Sequence, residues 1–143
     1  MIAVDTNILV YAHRPECRLH EVSKCLIERL AAGPHLWAIP QHCLIEFSGV
    51  VTNPRIWSQP TTNALCMLQV EAWRASPSLT VLEEGSDFLS AFADVLQISN
   101  VRGGGVHDAR TAACCRQHGV SELLTCDRDF SRFPFLRCRN PLL

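Results

Sequence analysis

Four short apolar runs, Ile2–Val4, Leu36–Ile39, Leu79–Leu82 and Glu122–Thr125, punctuate the chain at intervals far too long for hairpins. Between them lie segments with an apolar residue every third or fourth position, the spacing of helices that bury one face. Strands joined through helices require right-handed crossovers and a parallel sheet covered on both sides. The chain is therefore expected to be α/β, a three-layer α/β/α sandwich around a central, mostly parallel sheet. Its 143 residues are one domain's worth, so residues 1–143 are expected to form a single domain.

Local signals place the elements. Ile2-Ala3-Val4 predicts a buried strand, after which Thr6 or Asn7 caps a short helix over Ile8–Ala12. A helix is predicted over His20–Ala32, with Val22, Leu26, Ile27 and Leu30 on one face and Gly33-Pro34 as its stop. Strand two, Leu36–Ile39, closes at Pro40, and a helix follows over about Gln41 to Val51, ended by Asn53-Pro54. Pro60-Thr61-Thr62 opens a helix running to about Arg74, and Leu79–Leu82 is strand three. Ser86 to about Ile98 is helical, Arg102-Gly103-Gly104-Gly105 is the most flexible link, and His107–Gln117 is a helix closed by His118-Gly119. Glu122–Thr125 is strand four, and Phe135–Cys138 a fifth.

Composition narrows the function classes. Hydrophobic residues make up 48% and charged residues 19%, which specifies a packed core rather than disorder. No apolar stretch is long enough to span a bilayer, and Met1-Ile2-Ala3-Val4-Asp5 lacks the basic start of a secretory signal. No membrane association and a cytoplasmic location with reduced thiols are the expectation. A formal net charge of −1 gives no global pull toward nucleic acid, yet the distribution is uneven. From Arg102 onward there are seven arginines against four acids, while the preceding stretch is acidic.

In an open parallel sheet, ligands bind beyond the carboxyl ends of the strands. Asp5 follows strand one directly, Asp127 follows strand four, and Asp108 opens a helix after the glycine link. Glu46 lies beside the buried stripe of its helix, where a carboxylate must find a partner, take up a proton or bind a cation. Each acid also has a purely structural role open to it. Asp5 suits an Asx-turn, Asp108 a helix N-cap, Asp127 and Asp129 a polar turn, and Glu46 can reach solvent. Together they are four acids from independent elements converging on one edge, and the only lysine, Lys24, sits in an early helix. Oxygen-only clusters of this kind suit Mg²⁺ or Mn²⁺.

Four segments carry a family resemblance: Val4–Ala12, Glu46-Phe47 after Ile39-Pro40, Val106–Arg110, and Leu124–Phe130. In order and spacing they resemble the motifs of PIN-domain ribonucleases, most closely the VapC-type toxins of bacterial toxin–antitoxin pairs. The resemblance implies that Asp5, Glu46, Asp108 and Asp127 form a catalytic, metal-binding pocket, with Mg²⁺ as cofactor and Mn²⁺ as substitute. It implies that Thr6, Asn7 and Thr125 orient those carboxylates, with Asp129 an alternative fourth acid. It implies an RNA substrate cut through a metal-activated water, a small VapB-like antitoxin as partner, and a homodimer. Arg110, Arg116, Arg128 and Arg132 are candidates to hold the RNA backbone.

Rival chemistries fare less well. Structural zinc lacks paired ligands, since none of the eight cysteines forms a C-x₂₋₄-C pair. Cys43, Cys114, Cys115 and Cys126 sit in apolar settings that suit core filling. A phosphoacceptor domain would need a lysine after a late strand. Two alternatives keep the same fold: a binding module without catalysis, and a nuclease for single-stranded DNA.

Overall fold

The computed structural model describes residues 1–143. The elements in order are β1 (Ile2–Val4), α1 (Thr6–His13), α2 (His20–Ala32), β2 (Trp37–Pro40), α3 (Gln41–Val51) and α4 (Asn63–Arg74). They continue with β3 (Leu79–Leu82), α5 (Phe88–Ser99), α6 (Gly105–Gln117), β4 (Glu122–Leu124), a 3₁₀ turn over Arg128–Arg132, and β5 (Cys138–Arg139). All five strands pair in parallel, in the order β3-β2-β1-β4-β5. From β1 the chain builds outward through β2 and β3, then returns to place β4 on the other side of β1. The β1/β4 boundary is thus a topological switch point, where crossovers leave in opposite directions and open a crevice.

Alternation along the central strands fills two cores. Val4, Trp37, Ile39 and Leu124 face α1 through α4, meeting Ile8, Leu9, Phe47 and Trp73. Ala3, Ala38 and Leu123 face α5, α6 and the 3₁₀ turn, meeting Ala109, Ala112 and Ala113. Small residues on both sides of this second interface let α6 lie close to the sheet. At the far end of α1, the Arg14 guanidinium is buried over the Trp57 ring at 4.3 Å. It donates to Thr61 Oγ1 and to the Gln59 carbonyl, each at 2.9 Å, and pairs with Glu16. The loop between α3 and α4 is fastened to the end of α1 by Arg14 and by His13, whose Nε2 is 3.0 Å from Thr61 Oγ1.

Several local expectations need correcting. The cap of α1 is Asp5, whose Oδ1 accepts from Thr6 N at 2.8 Å, rather than Thr6 or Asn7. The buried line of α2 runs through Ser23 and Ile27, leaving Val22 41% exposed. Helix α5 starts at Phe88, two residues later than Ser86. Helix α6 starts at Gly105, not His107, because Gly103 at φ 56 folds the glycine link into a tight turn. Asp108 therefore sits within the first turn and caps nothing. Strand β5 pairs at Cys138–Arg139 instead of Phe135–Cys138, since its register is dictated by β4. The close of α6 is as expected: Gly119 takes φ 64 and Val120 N bonds to Cys115 O at 2.9 Å. No helix is long and apolar enough to cross a membrane.

Candidate active site

Strand β1 ends by driving Asp5 into the crevice at the switch point. Its carboxylate is buried and accepts three strong hydrogen bonds: Thr6 N at 2.8 Å, Asn7 Nδ2 at 2.9 Å and Thr125 Oγ1 at 2.6 Å. The Cys43 thiol lies beneath it, 3.9 Å from Oδ1. Burial nevertheless lifts the Asp5 carboxyl above its ordinary range, against those hydrogen bonds and helped by the negative charges of Glu46 and Asp127.

The segment after β4 is locked to the same point. Asn7 Nδ2 also donates to Thr125 Oγ1 at 3.1 Å, while its Oδ1 accepts from Cys126 N at 3.2 Å. Asp127 N donates back to Thr125 Oγ1 at 3.0 Å. Thr6, Asn7 and Thr125 thus each hydrogen-bond to one of the acids. Asp127 in turn caps the 3₁₀ turn, its Oδ1 accepting from Asp129 N at 2.8 Å.

Asp5, Glu46, Asp108 and Asp127 line one cavity of about 280 Å³, with Thr6, Asn7, His107 and Thr111 among its other walls. Glu46 is exposed rather than pressed against the core, and its partner is Thr6 Oγ1, which donates to Oε2 at 2.8 Å. The tightest grouping differs from the sequence expectation. One carboxylate oxygen from each of Asp108, Asp127 and Asp129 lies within 4.8 Å of the other two, a set that contains neither Asp5 nor Glu46. Asp129 is brought to the cluster by the 3₁₀ turn instead of standing outside it.

Crowding has an electrostatic price. The Asp108 carboxyl is raised to about 6, first by burial and then by the charges of Asp127, Asp5, Asp129 and Glu46. Asp108, Asp127 and Asp129, with carboxylate oxygens within 4.8 Å of one another, form an acidic cluster able to hold a divalent metal ion.

The candidate RNA-binding arginines are mostly engaged elsewhere. Arg110 grips Glu84 with two bonds, 2.5 and 3.1 Å long. Arg116 lies over the Phe135 ring at 5.1 Å, and Arg132 is 3.8 Å from Asp129. Arg128 alone is held by neither a carboxylate nor a ring.

Two contributors escaped the sequence reading. Cys43 looked like core filler, and only the packing of α3 against β1 sets its thiol under Asp5. Thr111 lies one turn after Asp108 on α6, a spacing that could have flagged it. Its hydroxyl is 2.8 Å from His42 Nε2, and burial, then the Arg110 charge, lower that imidazole to about 4.

The sequence matches the PIN domain family over residues 2–136. Ribonuclease VapC43 of Mycobacterium tuberculosis is 36% identical over 142 residues, covering 99% of this chain and 96% of that one. Ribonuclease VapC48 of the same species is 29% identical over 137 residues, covering 96% and 94%. Among solved structures, VapBC2 from Rickettsia felis, bound to a DNA fragment from its promoter, superposes with a TM-score of 0.69 at 20% identity. That match covers 97% of this chain and 98% of the other. VapC20 of Mycobacterium tuberculosis, a Sarcin-Ricin loop cleaving toxin, gives 0.67 at 20% identity over 92% and 93%. At such identities the structural likeness is one of fold.

Proposed function

The chain belongs to the PIN domain family, among the VapC ribonucleases, and on that premise we propose that it is a metal-dependent endoribonuclease, the toxin of a toxin–antitoxin pair. One observation carries the reading: Asp5, Glu46, Asp108 and Asp127, from four separate elements, line a single cavity at the switch point of the sheet.

The donor set suits Mg²⁺, with Mn²⁺ as substitute. All the donors are hard carboxylate oxygens, and the Asp108, Asp127 and Asp129 oxygens within 4.8 Å of one another repel until a cation joins them. Bound there, the ion would supply Lewis acidity, activating a water as nucleophile and neutralising charge on the phosphate oxygens. The chain's own groups do the rest. Asp5, fixed by Thr6, Asn7 and Thr125, gives a rigid point of attachment at the floor. Asp108, its carboxyl raised by burial and by the neighbouring acids, would be relieved of that crowding when a cation is bound. Glu46, exposed and steadied by Thr6, is placed to take the proton of the attacking water. No thiol or imidazole nucleophile is needed.

A small VapB-like antitoxin is the expected protein partner, blocking the site by covering the acidic cavity, and RNA is the substrate. Cleavage of RNA by the purified chain should stop in EDTA, return with Mg²⁺ or Mn²⁺, and be absent in Asp5→Asn. Cleavage that persists in EDTA would overturn the metal-dependent reading.

A further inference from the structure

A second cavity, of about 400 Å³, opens beside the acidic one and shares Asp127 with it. It lies beyond the carboxyl ends of β4 and β5, between the 3₁₀ turn and the residues that follow β5. Its volume falls within the range of about 300–1,000 Å³ that small ligands occupy. Phe130, Phe133 and Leu136 line it with almost wholly buried side chains, and Pro134 and Leu143 are its exposed apolar lining.

The polar groups around it are mostly donors. Arg139 is spent, with Nε and Nη2 given to Glu122 at 3.2 and 3.0 Å. Arg128 is not spent, and it lines this cavity. Asn140 is the informative residue. Its Oδ1 accepts from Leu142 N at 3.0 Å and from the Cys126 thiol at 3.5 Å. A backbone N–H can be met only by the oxygen of this amide, so the orientation of the group is settled. Its Nδ2, with two hydrogens, has no partner within the protein.

Resting on the ribonuclease reading above, we propose that this cavity holds the base next to the scissile phosphate and selects guanine or uracil, whose major-groove edges present only hydrogen-bond acceptors. Asp127, common to both cavities, puts this one next to the acids. Guanine offers O6 and N7 together as acceptors, and uracil offers its carbonyls, to the Arg128 guanidinium and the Asn140 amide. Adenine and cytosine present an exocyclic amino group there instead. Donor then faces donor, and desolvated groups on both sides go unpaired.

The test is to cut a pool of single-stranded RNAs, randomised over a short stretch, with the full chain in Mn²⁺ and to sequence the ends. Wild type should enrich guanine or uracil at one position beside the cut by at least about fivefold, the low end for a bidentate base contact. Asn140→Asp keeps the oxygen that holds Leu142 and Cys126 but turns the free donor into an acceptor. The preference at that position should then swing toward adenine or cytosine. Arg128→Ala, an exposed change that leaves the fold alone, should flatten the same preference. Unchanged base preference in these variants while they still cut overturns the proposal. Failure of wild type to cut any RNA in Mn²⁺ would instead overturn the ribonuclease reading, and this one with it.

Discussion

Thr125 Oγ1 lies 2.6 Å from Asp5 Oδ2, a hydrogen bond between residues 120 positions apart that ties the end of β4 to the end of β1. The same oxygen accepts from Asn7 Nδ2 and Asp127 N, so a single hydroxyl sets the spacing of two acids. Thr125→Val preserves shape and removes all three bonds. It should weaken Mn²⁺ binding and RNA cleavage by about 10- to 100-fold, the usual cost of losing a partner to a metal ligand. Thr125→Ser should restore most of both, as read by calorimetric titration and by single-turnover cleavage.

Asp108 carries a stability penalty. Its carboxyl is raised to about 6 in the fold, while the unfolded chain titrates near the ordinary 3.8. The stabilising protonated form is fully present below the lower value and is lost as pH rises through the higher one. Metal-free wild type should therefore lose stability between about pH 4 and pH 6, with Asp5 shifted in the same direction. Asp108→Asn should remove much of that slope and melt higher than wild type in EDTA at pH 7. Because Asp108 is partly exposed and so screened, the gain should be about 0.5–2 kcal/mol. Thermal melts across pH in EDTA measure both effects.

Metal should reverse the ranking. A ligand at 100 times its Kd stabilises the binding-competent protein by about 2.7 kcal/mol. Excess Mn²⁺ should raise the Tm of wild type by that mechanism and of Asp108→Asn much less. Equal responses would mean that Asp108 does not belong to a metal cluster.

Asp127 and Asp129 can be told apart. Asp127 lies on the wall of the acidic cavity and Asp129 does not, although their carboxylates are neighbours. Asp127→Asn keeps the cap on the 3₁₀ turn, because Asn caps about as well as Asp. It should nonetheless lose more cleavage activity than Asp129→Asn, with the two variants compared at matched Mn²⁺. A larger loss from Asp129 would exchange their roles.

Arg14 offers a check that does not involve the acids. Arg14→Met removes the guanidinium over Trp57 together with the bonds to Thr61, Gln59 and Glu16. A cost of roughly 1.5–3 kcal/mol is expected for charged hydrogen bonds in a buried setting, read as a lower midpoint in urea.

The legibility of this fold followed how local each signal was. Helices α2 and α3 run over the residues expected because Gly33-Pro34, Pro40 and Asn53-Pro54 stop the chain through their own backbone geometry. The β5 register was illegible because it depends on Leu123 N bonding to Arg137 O and Thr125 N to Arg139 O. Phe135, apolar and apparently strand-forming, instead sits on the surface beside Arg116. The same division runs through the site. Asp5, Asp108 and Asp127 were readable from their places after strands and links. The approach of Asp129 was not, since it needs the 3₁₀ turn, nor was the depth of Cys43, which needs α3 to pack against β1.

The order of the strands also bears on synthesis. Strand β1 is made before β2 and β3, yet the neighbour that completes its crevice, β4, is made after both. Asp5 therefore waits for Thr125 and Asp127 until β4 and the turn after it have been made. A nascent or prematurely terminated chain can assemble the layer around β2 and β3 but not the acidic cavity. The potential to cut is withheld from every fragment that ends before β4 and the 3₁₀ turn.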